Sequence, residues 1–153
     1  MNILLKAKKA KNNEFYTEYK TMEYLFESEE QGPQFCEFVK NKIIYLPCDT
    51  EDSNIYKYFV ANKERLQIKE ILRTSDDYYG HLDLYEKCDL VFTNPPFTKL
   101  YKYTKWLEYD LNKKFVLWWS WTSVCFYKYI EFCNKKWKIL TIIHELDLYS
   151  KLN

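Results

Sequence analysis

The sequence predicts an α/β fold built around a mostly parallel sheet. Short apolar runs, each long enough for one buried strand, alternate with longer segments whose apolar residues recur at helical spacing. Only 2 glycines occur in 153 residues, which disfavours a sandwich or barrel with many tight turns. Alternating strands and helices are typical of a sheet covered by helices. We expect a single domain over residues 1–153, with residues 1–12 as a basic arm.

The individual elements follow from the same patterns. The predicted strands are residues 43–46, 68–72, 89–92, 115–119 and 139–143. The predicted helices lie near residues 19–30, 55–60, 100–111 and 123–133, with a short helical turn after Asp83. Thr17 is predicted to cap the first helix, Gly32 and Pro33 to end it, and Ser53 or Asp52 to cap the second.

Composition excludes several classes of protein. The 5 cysteines form no C-x-x-C pair and the 2 histidines lie far apart, so no zinc site or other metal centre is expected. No apolar run reaches ~18 residues, so no membrane span is expected. An odd number of cysteines without a signal peptide indicates reduced thiols in the cytoplasm, or in a host's cytoplasm if the gene is viral. The net charge of +1 does not identify a partner.

The strongest functional signal is the stretch from Asp89 to Phe97. An apolar run predicts a buried strand that ends abruptly at two prolines, which delivers Asn94 to the strand's carboxyl end. Ligands of open α/β sheets bind at that edge. Because Pro95 and Pro96 lack N–H groups, the loop offers carbonyl acceptors and few backbone donors.

These residues suit an exocyclic amino group. The side-chain oxygen of Asn94 and the carbonyl of Pro95 could each accept one hydrogen of an –NH₂ group. Phe97 would supply an aromatic face for the ring that carries the amine. Two such acceptors favour a more tetrahedral nitrogen with its lone pair available for attack. The alternative is an ordinary strand-terminating turn, which is the commonest use of Asn and Pro together.

Other polar residues carry weaker signals. The first strand is followed by a polar loop and a helix start, the usual opening of a nucleotide-binding β-α unit, although G-x-G-x-x-G is absent. Asp49 in that loop could meet a cationic or hydroxyl-bearing ligand, and Asp83 is either a helix cap or an acceptor facing the crevice. The N-terminal lysines are either solvated or in contact with phosphates; they are Lys6, Lys8, Lys9 and Lys11.

Taken together, these segments resemble the EcoRI-type adenine-specific DNA methyltransferases. The similarity includes Asn94-Pro95-Pro96-Phe97 and further blocks in the same order from about Lys6 to about Ile139. Those blocks are Ala7-Lys8-Lys9-Ala10-Lys11, Glu14-Phe15-Tyr16-Thr17, Asp52-Ser53-Asn54, Tyr56-Lys57-Tyr58-Phe59, Tyr109-Asp110 and Lys113-Lys114-Phe115.

The resemblance implies a Rossmann-like class I methyltransferase fold, reduced in size, that uses S-adenosylmethionine (SAM) and flips an adenine out of DNA. It implies that Asn94, Pro95, Pro96 and Phe97 hold that adenine. By position it places Phe15, Tyr16 and Thr17 at the methionine end of the cofactor. It places Cys48 and Asp49, at the end of the first strand, where the family lines the cofactor, and Asp83 near the cofactor's adenine. Transfer would be direct, so little general-base chemistry is required.

The chain departs from the family in length. It is expected to end about where the central sheet is complete, which leaves no segment for a target-recognition domain. It is then a minimal enzyme that holds DNA through its lysines, or a subunit whose homo- or hetero-oligomeric partner supplies recognition, or a relative that binds SAM or nucleic acid without turnover. RNA bases and the glutamine amide remain alternative substrates, and a structural module that binds no SAM remains an alternative class.

Overall fold

A parallel sheet organises the part of the chain that the computed structural model describes, residues 17–30, 32–95 and 99–117. Its strands are β1 (Ile43–Leu46), β2 (Glu70–Arg73), β3 (Leu90–Thr93) and β4 (Lys114–Leu117). They lie in the order β2-β1-β3-β4 and every neighbouring pair is parallel. The α/β class is confirmed, and the direction of strand addition reverses between β1 and β3.

Helices connect the strands and cover both faces of the sheet. They are α1 (Tyr19–Glu27), α2 (Gly32–Val39), α3 (Asn54–Ala61), α4 (Leu82–Lys87) and α5 (Leu100–Lys105), the last continuing as a π-helical turn over Trp106–Asp110. The first strand lies where it was predicted, and β2 and β3 are shifted by one or two residues. The strand β4 begins one residue before the predicted start, and the last two predicted residues, 118 and 119, lie outside the described part of the chain. The helix predicted at 123–133 and the strand at 139–143 lie outside the described residues.

Helix capping agrees with the sequence at α3 and not at α1. The hydroxyl oxygen of Ser53 accepts a hydrogen bond from the backbone N–H of Tyr56 at 3.1 Å, so Ser53 is the predicted cap. The prediction that Thr17 caps α1 is wrong. Glu18 occupies that position without a side-chain cap, because the side chain of Thr17 is engaged with a residue at the end of β3.

Gly32 and Pro33 begin a helix that the sequence analysis missed. The backbone N–H of Gly32 donates to the carbonyl of Ser28 at 2.9 Å, and α2 starts at once. Pro33 is tolerated because the first turn of a helix needs no N–H donor there. A Cβ on Gly32 would lie 2.7 Å from the carbonyl oxygen of Phe26, so this close approach requires glycine.

One face of the sheet packs against α1, α2 and α3. Alternation along the strands sends Ile44, Leu46, Leu90 and Phe92 to this side, all of them buried. The ring of Phe92 meets Phe59 of α3 edge-to-face, with ring centroids 4.9 Å apart. This aromatic core fixes α3, and with it the loop that precedes α3, against the carboxyl half of the strands.

The other face packs against α4, α5 and the π-helical turn. Tyr45 and Val91 point to this side and meet Tyr85, Tyr103 and Leu107. The hydroxyls of Tyr85 and Tyr103 are hydrogen-bonded at 2.6 Å, which satisfies two polar atoms inside an otherwise apolar layer. The part of the protein that is described therefore has three layers, with helices on both sides of the sheet.

Candidate functional site

The carboxyl ends of β1 and β3 are joined at the point where strand order reverses. The Thr93 hydroxyl, buried at the end of β3, donates to the carbonyl of Pro47 just after β1 at 3.1 Å. In open α/β sheets, strand-order reversal opens the crevice that accepts ligands. This hydrogen bond therefore fixes the separation of the two loops at this edge of the sheet. One loop starts at Pro47 and the other at Asn94.

Asn94 is held by a residue from the start of the described chain. Its side-chain amide nitrogen donates to the hydroxyl oxygen of Thr17 at 3.1 Å, across 77 residues of sequence. Thr17 is itself held by Asn54 of α3, whose amide nitrogen donates to the backbone carbonyl of Thr17 at 3.0 Å. Two of the predicted site residues, Thr17 and Asn94, are thus brought into direct contact.

The backbone after β3 is also constrained. The Tyr78 hydroxyl contacts the carbonyl of Asn94 at 3.4 Å, and the carbonyl of Tyr78 in turn accepts a short hydrogen bond of 2.5 Å from the Tyr85 hydroxyl. Asn94 is half-buried and Pro95 is buried. Asn94 is therefore neither sealed in the core nor loose on the surface, which is the placement that a residue contacting a ligand needs.

Cys48 shows how the loop after β1 turns without glycine. Its φ of 58° lies in the left-handed region, where a non-glycine residue costs roughly 1–2 kcal/mol. Sparsely populated backbone conformations of this kind cluster at functional sites. The turn directs the chain into the loop that carries Asp49, so the two predicted residues lie at the carboxyl end of β1, beside the reversal point.

Asp49 is a buried carboxylate with spare acceptor capacity. It is 8% exposed, and its Oδ2 atom has no hydrogen-bond partner among the described residues. Burial raises the pKa of Asp49 to about 6, against smaller lowering effects of a hydrogen bond from Ser53 and the charge of Arg73. Buried acceptors are nearly always paired, so this atom is suited to a ligand that presents an ammonium or hydroxyl donor.

Arg73, which the sequence analysis did not single out, holds this loop in place. Its guanidinium donates to the backbone carbonyl of Asp49 at 3.3 Å and to the carboxylate of Glu51 at 3.1 Å. It also lies over the ring of Tyr56, 5.2 Å from the centroid. No local sequence pattern indicates this role, because Arg73 is at the end of β2 and its partners lie on a separate loop and a separate helix.

Asp83 lies near this edge by topology but is not capping α4. The residue at the N-cap position is His81, and Asp83 is exposed in the first turn of the helix. Because α4 returns the chain from the carboxyl end of β2 to the amino end of β3, its first turn lies toward the crevice edge. The imidazole of His81 pairs with Asp76 at 2.9 Å on the loop after β2.

Several predicted site residues lie outside the described part of the chain. They are Phe15 and Tyr16, the loop residues Pro96 and Phe97, and the basic residues Lys6, Lys8, Lys9 and Lys11. Their assignments stay predictions. The described residues bring together Thr17, Asn94 and Pro95 at one point, and Cys48 and Asp49 on the neighbouring loop.

Two classes of feature are not found in the described segments. Among residues 17–30, 32–95 and 99–117, no three histidine, cysteine or acidic side chains are grouped so that they could hold a metal ion. Within the same ranges, every helix is too short or too polar to cross a bilayer. The described cysteines, Cys36, Cys48 and Cys88, are not in disulfide bonds.

Comparison with known proteins gives consistent matches. A family model described as adenine-specific methyltransferase EcoRI matches residues 3–82. The type II methyltransferase M.EcoRI of Escherichia coli is 27% identical over 75% of this chain and 47% of its own length. The type II methyltransferase M.MgeORF184P of Mycoplasma genitalium is 26% identical over 73% of this chain and 42% of its own length. No solved structure matches the chain significantly.

The chain spans about half the length of the curated relatives it matches. The family model, in contrast, covers just over half of the 153 residues, from the basic arm through β1, α3 and β2 to the first residue of α4. The chain belongs to the EcoRI-type family of adenine-specific methyltransferases.

Proposed function

We propose that the chain transfers a methyl group from SAM to the exocyclic amine of an adenine in DNA. The observation that carries the proposal is the position of Asn94: it follows β3 at the reversal point, is held through its side chain by Thr17, and precedes Pro95. Family membership supplies the class of reaction, and the side chains at the crevice supply chemistry that fits it.

The residues present fit SAM as the methyl donor. Asp49 provides a buried carboxylate oxygen with no partner among the described side chains, and SAM carries an ammonium group and hydroxyls that could donate to it. We assign Cys48, Asp49 and Asp83 to the donor site on the loop and helix beside β1, with Phe15 and Tyr16 at the methionine end of SAM. Bound SAM would supply a sulfonium methyl that passes to the amine nitrogen, the S–C electron pair staying on sulfur and one N–H proton leaving to solvent.

The chain's own part in this reaction is orientation. We propose that the Asn94 side-chain oxygen and the Pro95 carbonyl accept the two amine hydrogens, and that Pro96 and Phe97 shape the loop and stack on the base. As the nitrogen becomes positive, these acceptors stabilise it more strongly than they do the neutral amine. Alignment of two bound reactants can supply up to about 7–11 kcal/mol of the barrier.

DNA is the proposed partner because of the family and the basic arm. Lys6, Lys8, Lys9 and Lys11 stand together without an intervening acid and would neutralise phosphates. Such contacts give affinity without sequence information, so base recognition has to come from other contacts. A second subunit, either another copy or a different chain, is one source of those contacts.

The decisive experiment measures SAM binding and methyl transfer on the same preparation. SAM at about 100 times its Kd should stabilise the protein by about 2.7 kcal/mol, which raises Tm by several degrees. Tritium from labelled SAM should then enter a random-sequence DNA duplex, and digestion should recover it as N6-methyladenine. A random RNA pool and a glutamine-containing peptide serve as the alternative acceptors.

Each result has a distinct meaning. If the label entered RNA or the peptide rather than DNA, the proposed acceptor would be wrong, and the proposed reaction, methyl transfer from SAM, would stand. A shift of Tm with SAM but no label in any acceptor would identify a binding protein that needs a partner or does not turn over. If SAM left Tm unchanged and no label moved, the proposal would be wrong.

A further inference from the structure

Thr17 is better placed to act on Asn94 than on a ligand. It is only 6% exposed, and its hydroxyl oxygen already accepts the hydrogen bond from the Asn94 amide at 3.1 Å. Its backbone carbonyl accepts a second hydrogen bond, from the amide of Asn54 at 3.0 Å. Three separate segments therefore meet at Thr17: the chain before α1, the start of α3 and the end of β3.

The geometry matters because an asparagine amide is easily misoriented. Rotation about its last side-chain bond is broad and roughly two-fold, so its oxygen and nitrogen ends can exchange places at little cost. In this structure the nitrogen end of the Asn94 amide faces the Thr17 hydroxyl, and the contact restrains the rotation of the amide. With the nitrogen end on Thr17, the oxygen end points along the other branch of the amide, as an acceptor for an amine requires.

We infer that Thr17 is a positioning residue for Asn94, and that Asn54 supports it by holding the Thr17 backbone. The inference deepens the proposed function and rests on it for its catalytic meaning. It reassigns Thr17 from the methyl donor to the amine acceptor. Residues 15–17 would then serve both substrates. Phe15 and Tyr16 would contact the methyl donor, and Thr17, which directly follows them, would orient the residue that binds the methyl acceptor.

Two substitutions at position 17 separate positioning from packing. Thr17→Val keeps the branched shape and removes the hydroxyl, whereas Thr17→Ser keeps the hydroxyl. We expect Thr17→Val to lower kcat for DNA methylation roughly 10- to 100-fold, as small misplacements in active sites do, with the Kd for SAM changed less than about two-fold. Thr17→Ser should restore most of kcat. Thr21→Val, at another buried threonine within α1, is the matched control and should leave kcat near wild type.

A second measurement tests the contact without turnover. The side-chain NH₂ signals of Asn94, identified by their loss in Asn94→Asp, should show one proton with the small temperature dependence of a hydrogen-bonded amide. That property should persist in Thr17→Ser and disappear in Thr17→Val. Should Thr17→Val fail to fold, Asn54→Ala takes its place, with the same signals expected to broaden or shift and kcat to fall several-fold.

The outcomes separate the inference from the proposed function. If the wild-type protein bound no SAM and methylated nothing, the proposed function would be wrong. The NH₂ signals would still show whether Thr17 orients Asn94. Active wild-type protein with equal kcat in Thr17→Val and Thr17→Ser overturns the positioning role. A raised Kd for SAM with unchanged kcat in Thr17→Val would return Thr17 to the donor site and overturn it as well.

Discussion

The hydroxyl of Thr93 donates a hydrogen bond to the carbonyl of Pro47 at 3.1 Å, and this contact connects the two loops that follow β1 and β3. Thr93 is the last residue of β3, and Pro47 directly follows the neighbouring parallel strand β1, just where the order of strands reverses. Because Thr93 is buried, water cannot replace the bond when it is lost. The separation of the two loops therefore depends on a hydrogen bond from a buried side chain.

Thr93→Val should destabilise the fold because it removes this hydrogen bond. Valine fills the same volume but leaves the buried carbonyl of Pro47 without its donor, which costs about 1–3 kcal/mol. Urea denaturation monitored by tryptophan fluorescence would measure the change in unfolding free energy. Thr50→Val, at an exposed position on the same loop, is the control and should change it by less than about 0.5 kcal/mol. Equal changes in unfolding free energy for the two variants would contradict the stabilising role of the hydrogen bond between Thr93 and Pro47.

Asn94→Ala should abolish transfer while SAM binding survives. Alanine removes the proposed acceptor oxygen and the contact with Thr17, so loss of about 10²-fold or more in kcat is expected. Asn94→Asp keeps an acceptor oxygen and should retain more activity than alanine. Calorimetric titration with SAM and the tritium assay measure the two properties separately. A parallel fall in SAM affinity and transfer would show that Asn94 belongs to the donor site instead.

Asp49 should make stability depend on pH in a specific window. Its pKa is raised from 3.8 to about 6 in the folded protein by burial, so the folded state holds a proton that the unfolded state has released. Stability contributed by this group is therefore full below pH of about 4 and is lost as pH rises to about 6, by at most about 3 kcal/mol.

The difference between wild type and Asp49→Asn isolates this effect from the other carboxyl groups. The unfolding free energy of wild type minus that of the variant should fall between pH 4 and pH 6 and stay flat above pH 7. Saturating SAM should reduce the fall if a donor group of SAM pairs with the carboxylate. A difference that rises with pH would mean that Asp49 is stabilised in its charged form.

The two described glycines give a matched pair of packing tests. Gly32→Ala forces a methyl group to within 2.7 Å of the Phe26 carbonyl, so α1 and α2 must separate, at a cost of about 1–3 kcal/mol. In Gly80→Ala the new methyl group meets only the side chain of Asp77, at 3.2 Å, which can rotate away. Thermal unfolding should show a lower Tm for Gly32→Ala alone. A smaller effect at position 32 than at position 80 would contradict the helix contact.

The basic arm should appear in the salt dependence of DNA binding. If Lys6, Lys8, Lys9 and Lys11 each contact a phosphate, replacing all four with alanine should reduce the slope of log K against log salt by about 3–4. Lys40, Lys63 and Lys69 are exposed and precede β1 or β2, away from the crevice edge. Their replacement should leave the slope nearly unchanged. Fluorescence anisotropy with a labelled duplex measures the slope for both variants. Equal slopes in the two variants would mean that the arm lysines are solvated and contact no phosphate.

Sequence patterns located the strands because burial on both faces of a parallel sheet demands continuous apolar runs. They located Asn94 for a related reason, since the prolines after it can end a strand but cannot continue one. They failed at Gly32 and Pro33, which looked like a helix end. There the next helix packs so closely on Phe26 that glycine is required, a constraint set by a neighbour in space.

Local sequence patterns were therefore sufficient to predict the α/β class, the four described strands and the asparagine that follows β3. The three-dimensional fold was needed to show that Thr17 contacts that asparagine, that Arg73 holds the loop of Asp49 and that Thr93 is hydrogen-bonded to the residue after β1. Local patterns miss these contacts because the partners are far apart along the chain. Strands and turns follow from neighbours along the chain, whereas these hydrogen bonds join residues 24 to 77 positions apart, which no local pattern specifies.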